Sequence, residues 1–201
     1  MDDYVKKMES DLGYKIPKDS PLFETLSLLN KYNALPNLKL ENLADSYGYF
    51  NKIKNQIVLD KKTAKDINLP THEYTHTLDG IMAEQFDQLF KKPEEQRTKE
   101  EQQFLSAYLK LQPRFTRFPF PQDDSVPKEM RFYRYSPSEL RAFGTGFYGG
   151  GKFMDGKAQG HIDATMATEM AVLRELLSRQ KTQEQNPFYQ DPFGTMQYIA
   201  P

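Results

Sequence analysis

The chain contains no cysteine. That excludes disulfides and any metal site built on thiolates, so a bound metal would have to be held by histidine, aspartate or glutamate. Histidine is itself scarce, with three in 201 residues. Neither sign of charge is in excess: 27 Lys and Arg stand against 28 Asp and Glu, with no basic stretch, which argues against a nucleic-acid partner. No apolar run reaches the length of about 18 residues that a membrane-spanning helix needs, so no membrane partner is expected. No basic-then-apolar leader follows Met1. A cysteine-free chain without such a leader suits the cytoplasm and equally suits delivery into another cell without a secretory leader, so location stays unassigned. What is present is aromatic: 14 Phe and 12 Tyr within a hydrophobic content of 38% can build one sizeable core.

The pattern along the chain is mixed helix and strand, an α+β class. Asp2 to Leu12 reads as a short helix ended by Gly13. Ser20-Pro21 opens a second, with serine as cap and proline in the first turn, and Pro36 is expected to stop it. Tyr47 to Phe50, a turn near Asn51, and Ile53 to Leu59 read as a hairpin whose second strand alternates Ile53, Ile57 and Leu59. A long helix follows from Asn68 to about Phe90. Residues 91 to 103 read as a solvated loop and helix start, 104 to 111 as helix, and 112 to 128, with Pro113, Pro119, Pro121 and Pro127, as an irregular connection. Met130 to Tyr135 looks extended, Ser136 opens a helix to about Tyr148, and Ile162 to Lys181 is helical with Met166, Met170, Leu173 and Leu177 in register. The expected organisation is a helical segment over 1–40, a core over 41–182 and a proline-containing surface tail over 183–201. The glycine spacing of Gly144, Gly146 and Gly149 fits a dinucleotide fingerprint but lacks the preceding strand, so it reads as a hinge.

The chemistry concentrates in His72-Glu73-Tyr74-Thr75-His76. In a helix the two histidines lie one turn apart on one face, where both imidazoles reach a single ion. Glu73 beside them is placed to hold a water in an open coordination position and take its proton. Tyr74, Leu78, Ile81, Met82 and Leu89 form a separate stripe that can bury, so ligand face and core face do not compete. A third ligand is required. A histidine six residues after the second is excluded, because that position is Met82. His161 is the remaining histidine and reads as a surface residue. Asp79 is on the right face but on the same helix, which suits it to orienting a ligand imidazole. Glu139 starts a separate helix that could cross the first, yet Ser136, Pro137 and Glu139 also spell a capping box. The local pattern leaves both roles open.

The stretch Thr71-His72-Glu73-Tyr74-Thr75-His76-Thr77-Leu78-Asp79 resembles the active-site helix of the gluzincins, closest to the group of the anthrax lethal factor catalytic domain and the zincin domains of phage and mobile-element proteins. Tyr47 to Leu59 matches the hairpin that precedes that helix. Tyr135-Ser136-Pro137-Ser138-Glu139-Leu140-Arg141-Ala142-Phe143 is similar to the family's later segment, Tyr…Pro-x-Glu-x-x-Ala-Phe. The resemblance spans about residues 45–150. It implies a zincin-like fold, one zinc ion on His72, His76 and Glu139, and Glu73 as general base. The family's transition-state tyrosine falls on Phe132 here, which leaves Tyr133 and Tyr135 as displaced candidates. The function expected is zinc-dependent hydrolysis of peptide bonds in a protein or peptide substrate, along the edge of the sheet at Ile53 to Leu59. The rival is a catalytically silent zincin-fold binding or assembly module within a larger polypeptide.

Overall fold

The computed structural model describes residues 1–44, 46–117, 139, 142 and 164–179. The chain is α+β: helices pack around a three-stranded mixed sheet. Helix α1 (Asp2–Leu12) stops where Gly13 takes a left-handed φ of 77° and its N–H bonds Glu9 O, a conformation glycine adopts without steric cost. Helix α2 (Pro21–Lys31) opens as its sequence dictates, with the Ser20 hydroxyl accepting from Phe23 N. It ends before Pro36, contrary to expectation. Asn33 sits at φ 53°, with Asn33 N donating to Asn30 O and Ala34 N to Leu29 O. Those two bonds are a Schellman stop, which satisfies the last carbonyls before proline has any bearing.

The sheet has the order β1–β3–β2, from β1 (Asn37–Glu41), β2 (Gly48–Asn51) and β3 (Gln56–Asp60). β1 runs parallel to β3 with Asn37 opposite Gln56, and β2 runs antiparallel with Gly48 opposite Leu59. The hairpin expected from sequence is there, with two corrections. Ile53 is 97% exposed in the turn, while Val58 is buried along with Ile57 and Leu59. β3 is therefore the central strand, covered on both faces, so its apolar residues run continuously where a half-buried strand would alternate. It cannot be the open edge along which a substrate lies. Among the described residues the edges belong to β1 and β2.

Helix α3 (Asn68–Lys91) crosses the sheet on the side of β2 and β3. Asp66 Oδ1 accepts from Asn68 N and fixes its start, and Pro70 sits in the first turn where no N–H is needed. At the other end Arg97 donates from Nη2 to Phe90 O and from Nε to Lys92 O. Thr98 and Glu101 then open α4 (Lys99–Arg117) with a reciprocal capping box. α4 continues through Pro113 to Arg117, where an irregular connection was expected. The carbonyl that Pro113 leaves without an intrahelical donor is that of Leu109, a residue on the exposed face where water can serve it.

Helix α5 (Ala164–Arg179) docks on α4 and α2. Lys31 Nζ donates to Leu177 O and Ser178 O, and Tyr32 Oη to Leu177 O, which places a cation at the helix C-terminus. Apolar burial holds this helix more strongly than those polar contacts do. Met170, Leu173, Leu176 and Leu177 are buried, each worth roughly 1.5–3 kcal/mol, against a net of about 0.5–1.5 kcal/mol for a typical hydrogen bond. One continuous core joins Met8, Leu26 and Leu29 to Ile57, Leu59, Leu78, Met82, Phe104 and Leu173. The helices of the first forty residues share that core with α3. Beneath α3 the Tyr4 hydroxyl donates to Pro36 O and meets the hydroxyl of fully buried Tyr74, tying α1 to the middle of the long helix. No described helix is long and apolar enough to cross a membrane.

The expected extended run at 130–135, the glycine-rich hinge and the tail over 183–201 lie outside the described residues.

Candidate metal centre

α3 separates its faces as the sequence pattern requires. Tyr74, Leu78, Ile81, Met82 and Leu89 are buried in the core, and His72 and His76 project from another face with side chains 12% and 16% exposed. The hydroxyls of Thr71 and Thr75 bond back to the carbonyls of Ile67 and Thr71. They are satisfied inside the helix and do not compete for the histidine face.

Glu139 arrives from a distant part of the chain. It and Ala142 are both helical, one turn apart and buried. Its Oε2 stands 3.1 Å from His72 Nε2 and its Oε1 3.3 Å from His76 Nε2. The two Nε2 atoms are 3.1 Å apart, with the rings nearly perpendicular at 87°. Among the described residues this is the one group of three such side chains close enough to share an ion.

These distances carry chemical content. Two nitrogens holding one tetrahedral ion at about 2.0–2.1 Å stand roughly 3.3 Å apart, close to the 3.1 Å between the two Nε2 atoms, and a different oxygen of Glu139 faces each ring. Protons fill this arrangement less well. If both imidazoles donate to Glu139, their mutual 3.1 Å contact sets two N–H groups side by side with no acceptor between them. A shared cation uses all three lone pairs at once, and the donor set of two imidazoles and a carboxylate suits a borderline ion such as zinc. The residues fit the group.

Electrostatics divide the site. For Glu139, burial works against ionisation, but hydrogen bonds from His72 and His76 prevail and hold its carboxyl at about 2. The imidazoles diverge although both face that carboxylate. Burial wins at His72 and lowers it, whereas at His76 burial is outweighed by Glu139 and by the charges of Glu73 and Asp79. Asp79 is buried on α3 and its field reaches both rings.

Glu73 is only 6% exposed. Burial, with a contribution from Glu139 and against the charge of His76, pushes its carboxyl up to about 7, the range in which a group both accepts and releases protons near neutral pH. Its Oε1 lies against the edge strand, 3.2 Å from where a Cβ on Gly48 would stand. Sequence reasoning passed over Gly48. The signal was a glycine inside the strand Tyr47-Gly48-Tyr49-Phe50, which marks a close backbone approach.

The structure thus brings His72, His76 and Glu139 together, with Glu73 and Asp79 beside them. Tyr133, Tyr135 and His161 lie outside the described residues. Comparison with known protein families, curated proteins and solved structures finds no match to this chain.

Proposed function

We propose that the protein is a zinc-dependent metalloendopeptidase of the gluzincin type, with His72, His76 and Glu139 as ligands and Glu73 as general base. The observation that carries the reading is the convergence of the two Nε2 atoms, 3.1 Å apart, on the Glu139 carboxylate, one oxygen to each ring at 3.1 and 3.3 Å. A half-protonated, buried carboxyl one residue from a ligand supports it, as does the resemblance of the two motifs. Zinc held there would polarise a scissile carbonyl and bring the pKa of its water towards about 7. Glu73, whose burial raises its affinity for a proton, would accept the proton from the attacking water and return it to the leaving amine. Tyr133 or Tyr135 supplies the oxyanion donor by analogy with the family pattern.

The strand register supports a particular lie for the peptide. Asp60 N donates to Tyr47 O, so the pair Tyr47–Asp60 is a bonded one. By the alternation of antiparallel ladders Tyr49–Val58 and Asn51–Gln56 are too. Gly48 then turns its N–H and C=O groups to the outer edge of β2, which pairs with no strand among the described residues. An extended substrate adds there through its main chain, directly beside Glu73.

Metal content tests the reading first. Purified wild type should hold close to one zinc per chain, lost in both His76→Ala and Glu139→Ala. Glu73→Gln should keep the metal and lose hydrolysis of labelled casein. A wild type that takes up no zinc from a zinc-supplemented buffer would sink the proposal, and zinc without hydrolysis of any unfolded protein would favour a silent binding module.

A further inference from the structure

We infer that Gly48 is a positioning residue for Glu73: the absence of a side chain there lets the edge strand lie directly on the carboxylate and fixes where it stands. This rests on the metallopeptidase reading for its catalytic consequence, but the contact itself does not.

The geometry leaves no room for a methyl group. A Cβ on Gly48 would stand 2.9 Å from Leu59 Cδ2, 3.1 Å from Val58 O and 3.2 Å from Glu73 Oε1. Leu59 is fully buried in the core and Val58 O belongs to the central strand, so neither yields cheaply in a close-packed interior. The Glu73 carboxylate is the end of a long side chain, with the most freedom to move. Crowding at residue 48 falls hardest on Leu59, and the part that falls on Glu73 is relieved by displacing the base. No backbone conformation explains the glycine, since Gly13 alone among the described glycines has positive φ.

The position couples two functions. Gly48 turns its own N–H and C=O to the edge where a peptide would pair, and Glu73 Oε1 stands 3.2 Å from where its side chain would begin. One residue thus holds the base and the peptide in a common frame. A shift of about 1 Å in such a frame can cost on the order of 100-fold in rate, and the smaller shift that a 3.2 Å contact demands costs correspondingly less.

The test uses the full chain with Gly48→Ala, Glu73→Ala, the double variant, and Gly48→Ala combined with Leu59→Val. Thermal melts of the chelated proteins read the contact without metal or substrate. Gly48→Ala should lower Tm by about 5 °C. Part of that loss should vanish when Glu73 is already alanine, the non-additivity expected of side chains in contact. On labelled casein, Gly48→Ala should keep its zinc, lose roughly 10-fold in kcat and change KM little. Adding Leu59→Val should restore Tm and leave kcat low, because it opens the core and not the space at Glu73.

Strictly additive melting temperatures, or a kcat restored by Leu59→Val, would overturn the inference and make Gly48 a core-packing glycine. A wild type without zinc or hydrolysis would instead overturn the metallopeptidase reading, while the melting cycle would still decide the contact.

Discussion

Glu73→Gln should stabilise the metal-free protein, and only at the upper end of the pH range. The buried carboxyl of Glu73 is pushed from an ordinary 4.5 up to about 7, so the folded chain binds this proton more tightly than the unfolded chain does. A raised folded pKa contributes stability that is complete below the unfolded value and is lost as pH climbs through the folded one. Above pH 7 the native state carries a desolvated carboxylate, at a cost of about 1.4 kcal/mol for each pH unit between the two pKa values, hence about 3 kcal/mol in all. Glutamine has nearly the same shape and no charge to desolvate. His72 titrates in both proteins and largely cancels in the difference, while the fields of His76 and Glu139 on Glu73 are already contained in its raised value.

The assay is a pair of thermal melts of chelator-treated wild type and Glu73→Gln at pH 5 and pH 8. Near pH 5 the two should melt within a degree or two. At pH 8 the variant should melt higher by roughly 6–12 °C, from about 2–4 °C per kcal/mol for a chain of this size. Zinc restored to both should shrink the gap, because a divalent cation beside Glu73 favours its charged form. The same difference at both pH values would refute the reasoning, since it would show that burial does not set the carboxyl's affinity for its proton.

Three further outcomes follow from the frame around the site. Tyr4 donates to Pro36 O, which leaves the fully buried Tyr74 hydroxyl to donate to Tyr4. Tyr4→Phe strands a buried donor and should cost about 1–3 kcal/mol, clearly more than Tyr74→Phe; urea midpoints in the reverse order would contradict this direction. Asn33, in the left-handed conformation at φ 53°, should tolerate glycine and lose about 1–2 kcal/mol on substitution by alanine, read from the same denaturation curves. Ile53→Asn should leave stability within about 0.5 kcal/mol, because the side chain is 97% exposed in the hairpin turn; a larger loss would mean that the turn packs on something.

What could be read from the sequence was local. The left-handed stop at Gly13, the Ser20-Pro21 start and the i, i+4 pair His72 and His76 are each set by residues within a turn or two of one another, and each stands where its pattern put it. The Schellman stop at Asn33 was also local, but asparagine signals it more weakly than glycine and the nearby Pro36 drew the boundary too far. The strand β1 was not legible at all. Asn37 to Glu41 has no hairpin partner, and its pairing with Gln56 to Asp60 is parallel, with β2 intervening in the chain and lying on the far side of β3. Without that pairing β3 looks like an edge, and Ile53 looks like the first residue of an alternating strand.

The site divides the same way. The half carried by α3 was visible in five consecutive residues, whereas the half supplied by Glu139 was ambiguous with a helix cap, because one glutamate satisfies either role and its distant partners leave no mark in its neighbourhood. Gly48 is the extreme case. What makes it matter is an atom it lacks, pressed against a carboxylate 25 positions further along the chain, and no rule based on the residues present beside it would have named that partner.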